Sequence, residues 1–315
     1  MFPQIFALAS LSGLLRQSNN CIDAYIDVGR SNISIEAQTS VIGCQFKRIS
    51  SFSQDGGVIY ITSTALSVII DECVFISCMV GSSKRGGAIF VSYTKAQISL
   101  SRVCSSFCSA DEGHFGYMLG STLSINLLTM SKCSTEQKGL YCFHASSPQI
   151  VATQFNSSFN KAERVSGFGY YSITSVQSSF NTVFNNTEDG MCLWINGNPT
   201  ISFSRFNIVN NRGPSSFGVF RVYSGTGDIL NSVIINNYKI MFVVVSGSLN
   251  VVDSYVLHES TFSLGNCIQK SLIFSATETH ALVHMDVNQC KGVPTTFMYK
   301  SLRPLFITLV YLITQ

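Results

Sequence analysis

The residues best suited to chemistry in this chain lie in short, separated groups. Asp111-Glu112-Gly113-His114 puts two carboxylates and an imidazole beside a glycine, the makings of a general acid, a general base and a hinge. A polar loop at a corner of the fold accounts for the same composition. Cys73, Cys78, Cys104 and Cys108 spell C-x4-C and C-x3-C, which invites a tetrahedral zinc site. The other acidic pairs, Asp71-Glu72 and Glu188-Asp189, are sequence neighbours. Neighbours in a strand point to opposite faces, so neither pair offers the spaced carboxylates that glycoside hydrolysis needs. His144, His258, His280 and His284 are scattered, and the spacing of the last two suits a helix rather than a strand. No HExxH, Ser/His/Asp motif or nucleotide-binding glycine loop occurs. The sequence implies no cofactor and no metal, and its catalytic candidates reduce to Asp111, Glu112 and His114.

Such groups act only if a scaffold positions them, and the scaffold is written as a repeat. An apolar residue, a small polar one, any residue and a second apolar one recur at Ile70-Asp71-Glu72-Cys73, Leu100-Ser101-Arg102-Val103, Leu128-Thr129-Met130-Ser131, Ala152-Thr153-Gln154-Phe155, Gln177-Ser178-Ser179-Phe180, Phe203-Ser204-Arg205-Phe206, Leu230-Asn231-Ser232-Val233 and Val252-Asp253-Ser254-Tyr255, in steps of 22 to 30 residues. A second marker follows the polar position by about one strand: Cys78, Cys108, Asn160, Asn185, Asn211 and Asn237. A third is glycine opening a β-prone run, as in Gly56-Gly57-Val58-Ile59-Tyr60 and Gly86-Gly87-Ala88-Ile89-Phe90. A unit this short, without helical periodicity, cannot bury its apolar face alone and must stack on its neighbours. It is too short for a propeller blade and lacks the fixed leucines of a leucine-rich repeat.

The reading is therefore an all-β fold, a single-stranded right-handed parallel β-helix of about nine or ten coils, on the order of 45 Å long. Residues 40–261 form the repeats. Residues 1–39 are expected to hold a leader and N-terminal cap, and 262–315 the last coils and a C-terminal cap or the start of a truncated membrane anchor. In this scaffold, equivalent residues stack. Asn160, Asn185, Asn211 and Asn237 are expected to form an amide ladder at a tight turn. Glu72 and Arg102 should be vertical neighbours in an ion pair. Cys78 and Cys108 fall on equivalent positions about 4.8 Å apart, close enough for a disulfide between coils and equally suited to a row of buried thiols.

Gly86-Gly87-Ala88-Ile89 and, in looser form, Phe75-Ile76-Ser77-Cys78 resemble the GGA[IVL] and FxxN repeats of polymorphic outer-membrane proteins and autotransporter passengers. The resemblance spans roughly residues 40 to 260 and implies a right-handed β-helix displayed at a cell surface, with a role in adhesion.

Composition narrows the partners. Charged residues make up only 12% and net charge is +3, with no basic run beyond paired residues, so a nucleic-acid partner is excluded. Eleven cysteines and sequons at Asn32, Asn156 and Asn185 lean toward an oxidising secretory route. MFPQIFALASLSGLLRQ has the apolar run of a signal peptide without its positive start, and the apolar end Leu305 to Gln315 is short of the roughly 20 residues that span a bilayer. The expected function is a secreted or surface-displayed, non-catalytic scaffold. It would bind a host or cell-surface protein or carbohydrate through loops such as Gly81 to Arg85 and Asp111 to His114, with membrane association only through an anchor incomplete in this chain. The alternative is a carbohydrate-active enzyme, a lyase or glycosidase, working in a groove on one sheet.

Overall fold

A computed structural model describes residues 26–28 and 38–270, apart from 63–65, 135–138, 189, 213–216, 239 and 258–262. The described residues form no helix; they wind into a parallel β-solenoid of about eight turns, all its long-range pairings parallel. The leader, the apolar C-terminal end, Asn32 and His258, His280 and His284 lie outside the described residues.

Each turn contributes to three stacked walls. The first runs through Gln38, Ser67, Gln97, Thr122, Gln149, Ser175, Thr200, Thr226 and Ser248, each paired with the next. The second is a set of short strands such as Gln45–Lys47, Val74–Ile76 and Thr182–Phe184, whose central residues (Phe46, Phe75, Val183) point inward. The third holds Ile59–Ile61, Ile89–Ser92, Gly116–Leu119 and their successors. Phenylalanines fill the interior in stacks: Phe46 and Phe75 are 5.0 Å apart between centroids, Phe203 and Phe220 5.6 Å, and Phe220 and Phe242 5.7 Å.

Two sharp bends border the second wall, and both use left-handed backbone. The first bend carries Glu72, Arg102, Leu127, Gln154, Phe180, Arg205, Asn231 and Asp253, the second Ser77, Phe107, Lys132, Phe159, Asn185, Asn210 and Asn236, all with φ between 48° and 59°. At the first bend the repeat is partly re-registered. Ser101 pairs with Asn126, so the copy at Leu128 is three residues late, and the copies at Gln177, Leu230 and Val252 are each one residue off. The bend holds acidic, basic, amide, leucine and phenylalanine side chains at its centre, so the polar–apolar pattern also fits when displaced.

The second bend corrects the amide ladder. Asn185 is the left-handed residue itself; the buried rung is Asn186, beside Asn160, Asn211 and Asn237. The bend turns the next peptide N–H away from the regular ladder. The amide oxygen one turn on accepts it: Cys133 N–H donates to Asn160 (2.8 Å), Asn160 N–H to Asn186 (2.9 Å), Asn186 N–H to Asn211 (3.0 Å) and Asn211 N–H to Asn237 (3.0 Å). Each amide nitrogen then donates to a carbonyl of the preceding turn, Asn211 to Val183 at 2.8 Å and Asn237 to Ile208 at 2.7 Å. Buried donors are thus satisfied without water.

Cys78 and Cys108 hold the same rung in the earlier turns. Of the two arrangements the spacing allows, the row of buried thiols is present and the disulfide is not: both are free and fully buried. Cys108 Sγ donates to Phe75 O at 3.8 Å, the same wall carbonyl that Asn211 reaches in its own turn, and Cys78 Sγ donates to Phe46 O at 3.7 Å. The thiol is a small, weak substitute for the amide.

The glycine corners are set by contact with the next coil. A Cβ on Gly87 would stand 2.1 Å from His114 O and 2.6 Å from Ser109 O, both backbone atoms that cannot rotate away. Gly87→Ala should therefore lower unfolding free energy by roughly 2 kcal/mol or more, measured by urea denaturation. Asn186→Ala removes the acceptor of the buried Asn160 N–H and should cost about 1–3 kcal/mol in the same assay, whereas Asn185→Gly keeps the bend and should be near neutral.

Candidate functional site

On the outer face of the third wall, aromatic residues stand on successive rungs. Tyr60 pairs with Phe90, Phe90 with Tyr117, Tyr117 with His144, His144 with Gly169 and Gly169 with Trp194. The glycine leaves its rung empty, and Tyr171, two residues on, folds its ring into that space, 2.9 Å from where a Cβ of Gly169 would lie. The result is one column with ring centroids spaced 5.4, 5.5, 4.4, 4.4 and 4.9 Å from Tyr60 to Trp194. All but the last contact are stacked within 17°, so the ring faces are used on each other. What remains for a ligand is ring edges and the polar groups beside them.

Loops at the adjoining corner supply those groups. Arg85 lays its guanidinium 5.0 Å from the centroids of both Phe90 and Tyr117 and is held by Asp55, through the backbone N–H at 2.7 Å and the side chain at 3.2 Å. Arg164 sits 4.5 Å from the Trp194 ring and donates to Tyr141 Oη at 3.1 Å. Arg221 occupies the rung after Trp194. Several polar atoms in this strip are buried without a partner: His144 Nδ1, Trp194 Nε1 and Arg221 Nε. Each such group costs about 1–3 kcal/mol in an otherwise satisfied fold.

Asp111, Glu112 and His114 belong to this corner but do not converge. The loop backbones are stitched together, with Asp111 N–H donating to Lys84 O at 2.9 Å and Leu140 N–H to Asp111 O at 2.6 Å. Asp111 and Glu112 are half-buried at the outside. His114 is fully buried and its Nδ1 accepts the Ala110 N–H at 3.1 Å. The glycine that follows Glu112 turns the chain inward, so this histidine fills a corner. Burial pushes His114 down to about 4, and burial with the nearby Arg85 charge pushes His144 to about 4; burial drives the Tyr171 hydroxyl well up. None of these three groups is poised to exchange a proton near neutrality.

The remaining candidates are dispersed. Cys104 packs with Val74 apart from the main core that holds Cys73, Cys78 and Cys108, so the four cysteines do not surround one point. Among the described residues no three His, Cys, Asp or Glu side chains gather as a metal site. Glu72 and Arg102 are ion-paired at 2.7 Å as expected, and Asp71 also engages Arg102. Both acids reach one partner because the left-handed bend at Glu72 breaks strand alternation. Asn185 stands at an open bend, while Asn156 lies in the strand Gln149–Ser158 with its Oδ1 buried. Tyr141, His144, Arg164, Tyr171, Trp194 and Arg221 were not legible as a site. The available signal was the aromatic four residues after each of Gly56, Gly86 and Gly113. No family model, curated protein or solved structure matches this chain.

The histidines carry a pH test. A buried neutral imidazole gives stability that is intact above its unfolded value near 6.5 and lost as pH falls toward 4. Denaturation at pH 5 should show about 2 kcal/mol less stability per histidine than at pH 7.5, and His144→Phe, which keeps the stack, should remove roughly half of that difference.

Proposed function

We propose that the protein is a non-catalytic binding scaffold, secreted or displayed at a cell surface, whose corner loops and outer aromatic column engage a cell-surface protein or carbohydrate. The observation that carries this reading is the column itself: stacked rings and arginines on a rigid wall, with titratable groups shifted away from neutrality by burial. The described carboxylates with charged partners are bound to arginine, Asp55 to Arg85 and both Asp71 and Glu72 to Arg102, an arrangement that suits a structural role better than paired acid and base work. Core thiols fully shielded from solvent, such as Cys73, Cys78 and Cys108, are protected from oxidants in any compartment, so they are compatible with export. The short GGA[IVL]-type motif supports surface display by resemblance alone.

The test is proteolysis of intact cells carrying the tagged native protein, combined with glycosidase treatment. Surface display predicts cleavage without lysis and a glycosidase-sensitive mass that Asn185→Gln reduces. Protection of the protein until lysis would refute the proposed location.

A further inference from the structure

The strip around Trp194 is richer in donors than its surroundings can satisfy. Trp194 is about 8% exposed, and neither its Nε1–H nor the Nε–H of Arg221 on the next rung has an acceptor. Both groups can only donate. Tyr171 lies between, its ring 4.9 Å from the indole, and His144 Nδ1, one ring further on, is also unpartnered. Native folds leave few buried polar atoms unpaired, so a contiguous set on one column marks a place where an acceptor belongs.

The charges around the strip specify that acceptor. Arg164 lies over the indole and Arg221 follows it, and among the described residues neither forms an ion pair. Arg85, which acts on His144, is already matched by Asp55. Glu112 is the carboxylate that acts on Tyr171, and Glu163 is exposed beside Arg164. The Arg164 guanidinium over Trp194 and the Arg221 guanidinium over Phe217, 5.1 Å from its centroid, thus bring two positive charges to neighbouring rungs with no acid partner among the described residues, the arrangement that selects an oxygen anion accepting several hydrogen bonds at once.

We propose that Trp194, Arg164 and Arg221, with Tyr171 beside them, form a binding site for an oxyanion group: a carboxylate, sulfate or phosphate carried by the partner. Arg164 covers the indole face in the free protein and swings to close on the anion. The inference supplies the partner chemistry for the binding-scaffold reading and rests on it for biological meaning, but it is tested on the purified chain, independently of cell location.

Trp194 is the chain's single tryptophan, so its fluorescence reports the site directly. The purified full chain is titrated with sodium acetate, sulfate and phosphate against sodium chloride at matched ionic strength. The expected result is a saturable emission change with at least one oxyanion and none with chloride. Arg221→Gln should weaken that anion about tenfold or more, and Arg48→Gln, at a remote exposed bend, should leave it unchanged. Circular dichroism confirms that each variant retains its strands, and Arg164→Gln, expected to weaken the same anion by a similar factor, is the second variant should Arg221→Gln fail to fold. Which anion saturates first separates the three sources. Emission that follows ionic strength alone, or an anion response that survives both arginine substitutions, overturns the site and assigns the orphan donors to water.

Discussion

The stacking of one coil on the next at strand spacing is the constraint on which the rest of this structure depends. In a parallel solenoid each backbone N–H and C=O finds its partner in the adjacent turn, so every departure from straight strand must be repeated at the same height in every turn or the ladder fails. The left-handed bends recur for that reason, at Glu72 and Arg102 or at Asn185 and Asn210, with side chains as different as carboxylate, guanidinium and amide. Backbone geometry is conserved from turn to turn while residue type varies.

The buried rung after the second bend shows how the chain meets the constraint. Where the bend turns a peptide N–H out of register, Asn160, Asn186, Asn211 and Asn237 return an acceptor to it and use their own amide protons on a wall carbonyl. Cys78 and Cys108 fill the same space with a thiol that reaches a carbonyl at 3.7–3.8 Å. The earlier turns therefore rely more on burial and the later turns more on hydrogen bonds.

The same vertical repetition builds the outer column. A wall that must place equivalent residues above each other turns an aromatic in one coil into a stack when the neighbours are aromatic too, and Gly169 is accommodated by the ring of Tyr171. Corner loops then set Arg85 and Arg164 beside that stack, because each loop backbone is hydrogen-bonded to its neighbour, as Asp111 is to Lys84 and to Leu140. The wall thus carries charged loops along its edge, each tied by backbone hydrogen bonds to the loop above and below.

The sequence by itself determined the all-β class and the stacking of short repeats, with the register of about half of the copies. Gly86-Gly87 and the Glu72–Arg102 pair were readable because one residue type at one spacing implies its neighbour above. Only the tertiary structure decided between Asn185 and Asn186, since both amides satisfy the same spacing and a single left-handed φ chooses which points inward. It also separated His114 from Asp111 and Glu112, by turning one peptide at Gly113, and assembled Tyr141, His144, Arg164, Tyr171, Trp194 and Arg221 from different turns. Spacing along the chain records the length of a coil, whereas which side chains share a face depends on turns whose loops vary in length, and that variation is resolved only when the coils are stacked.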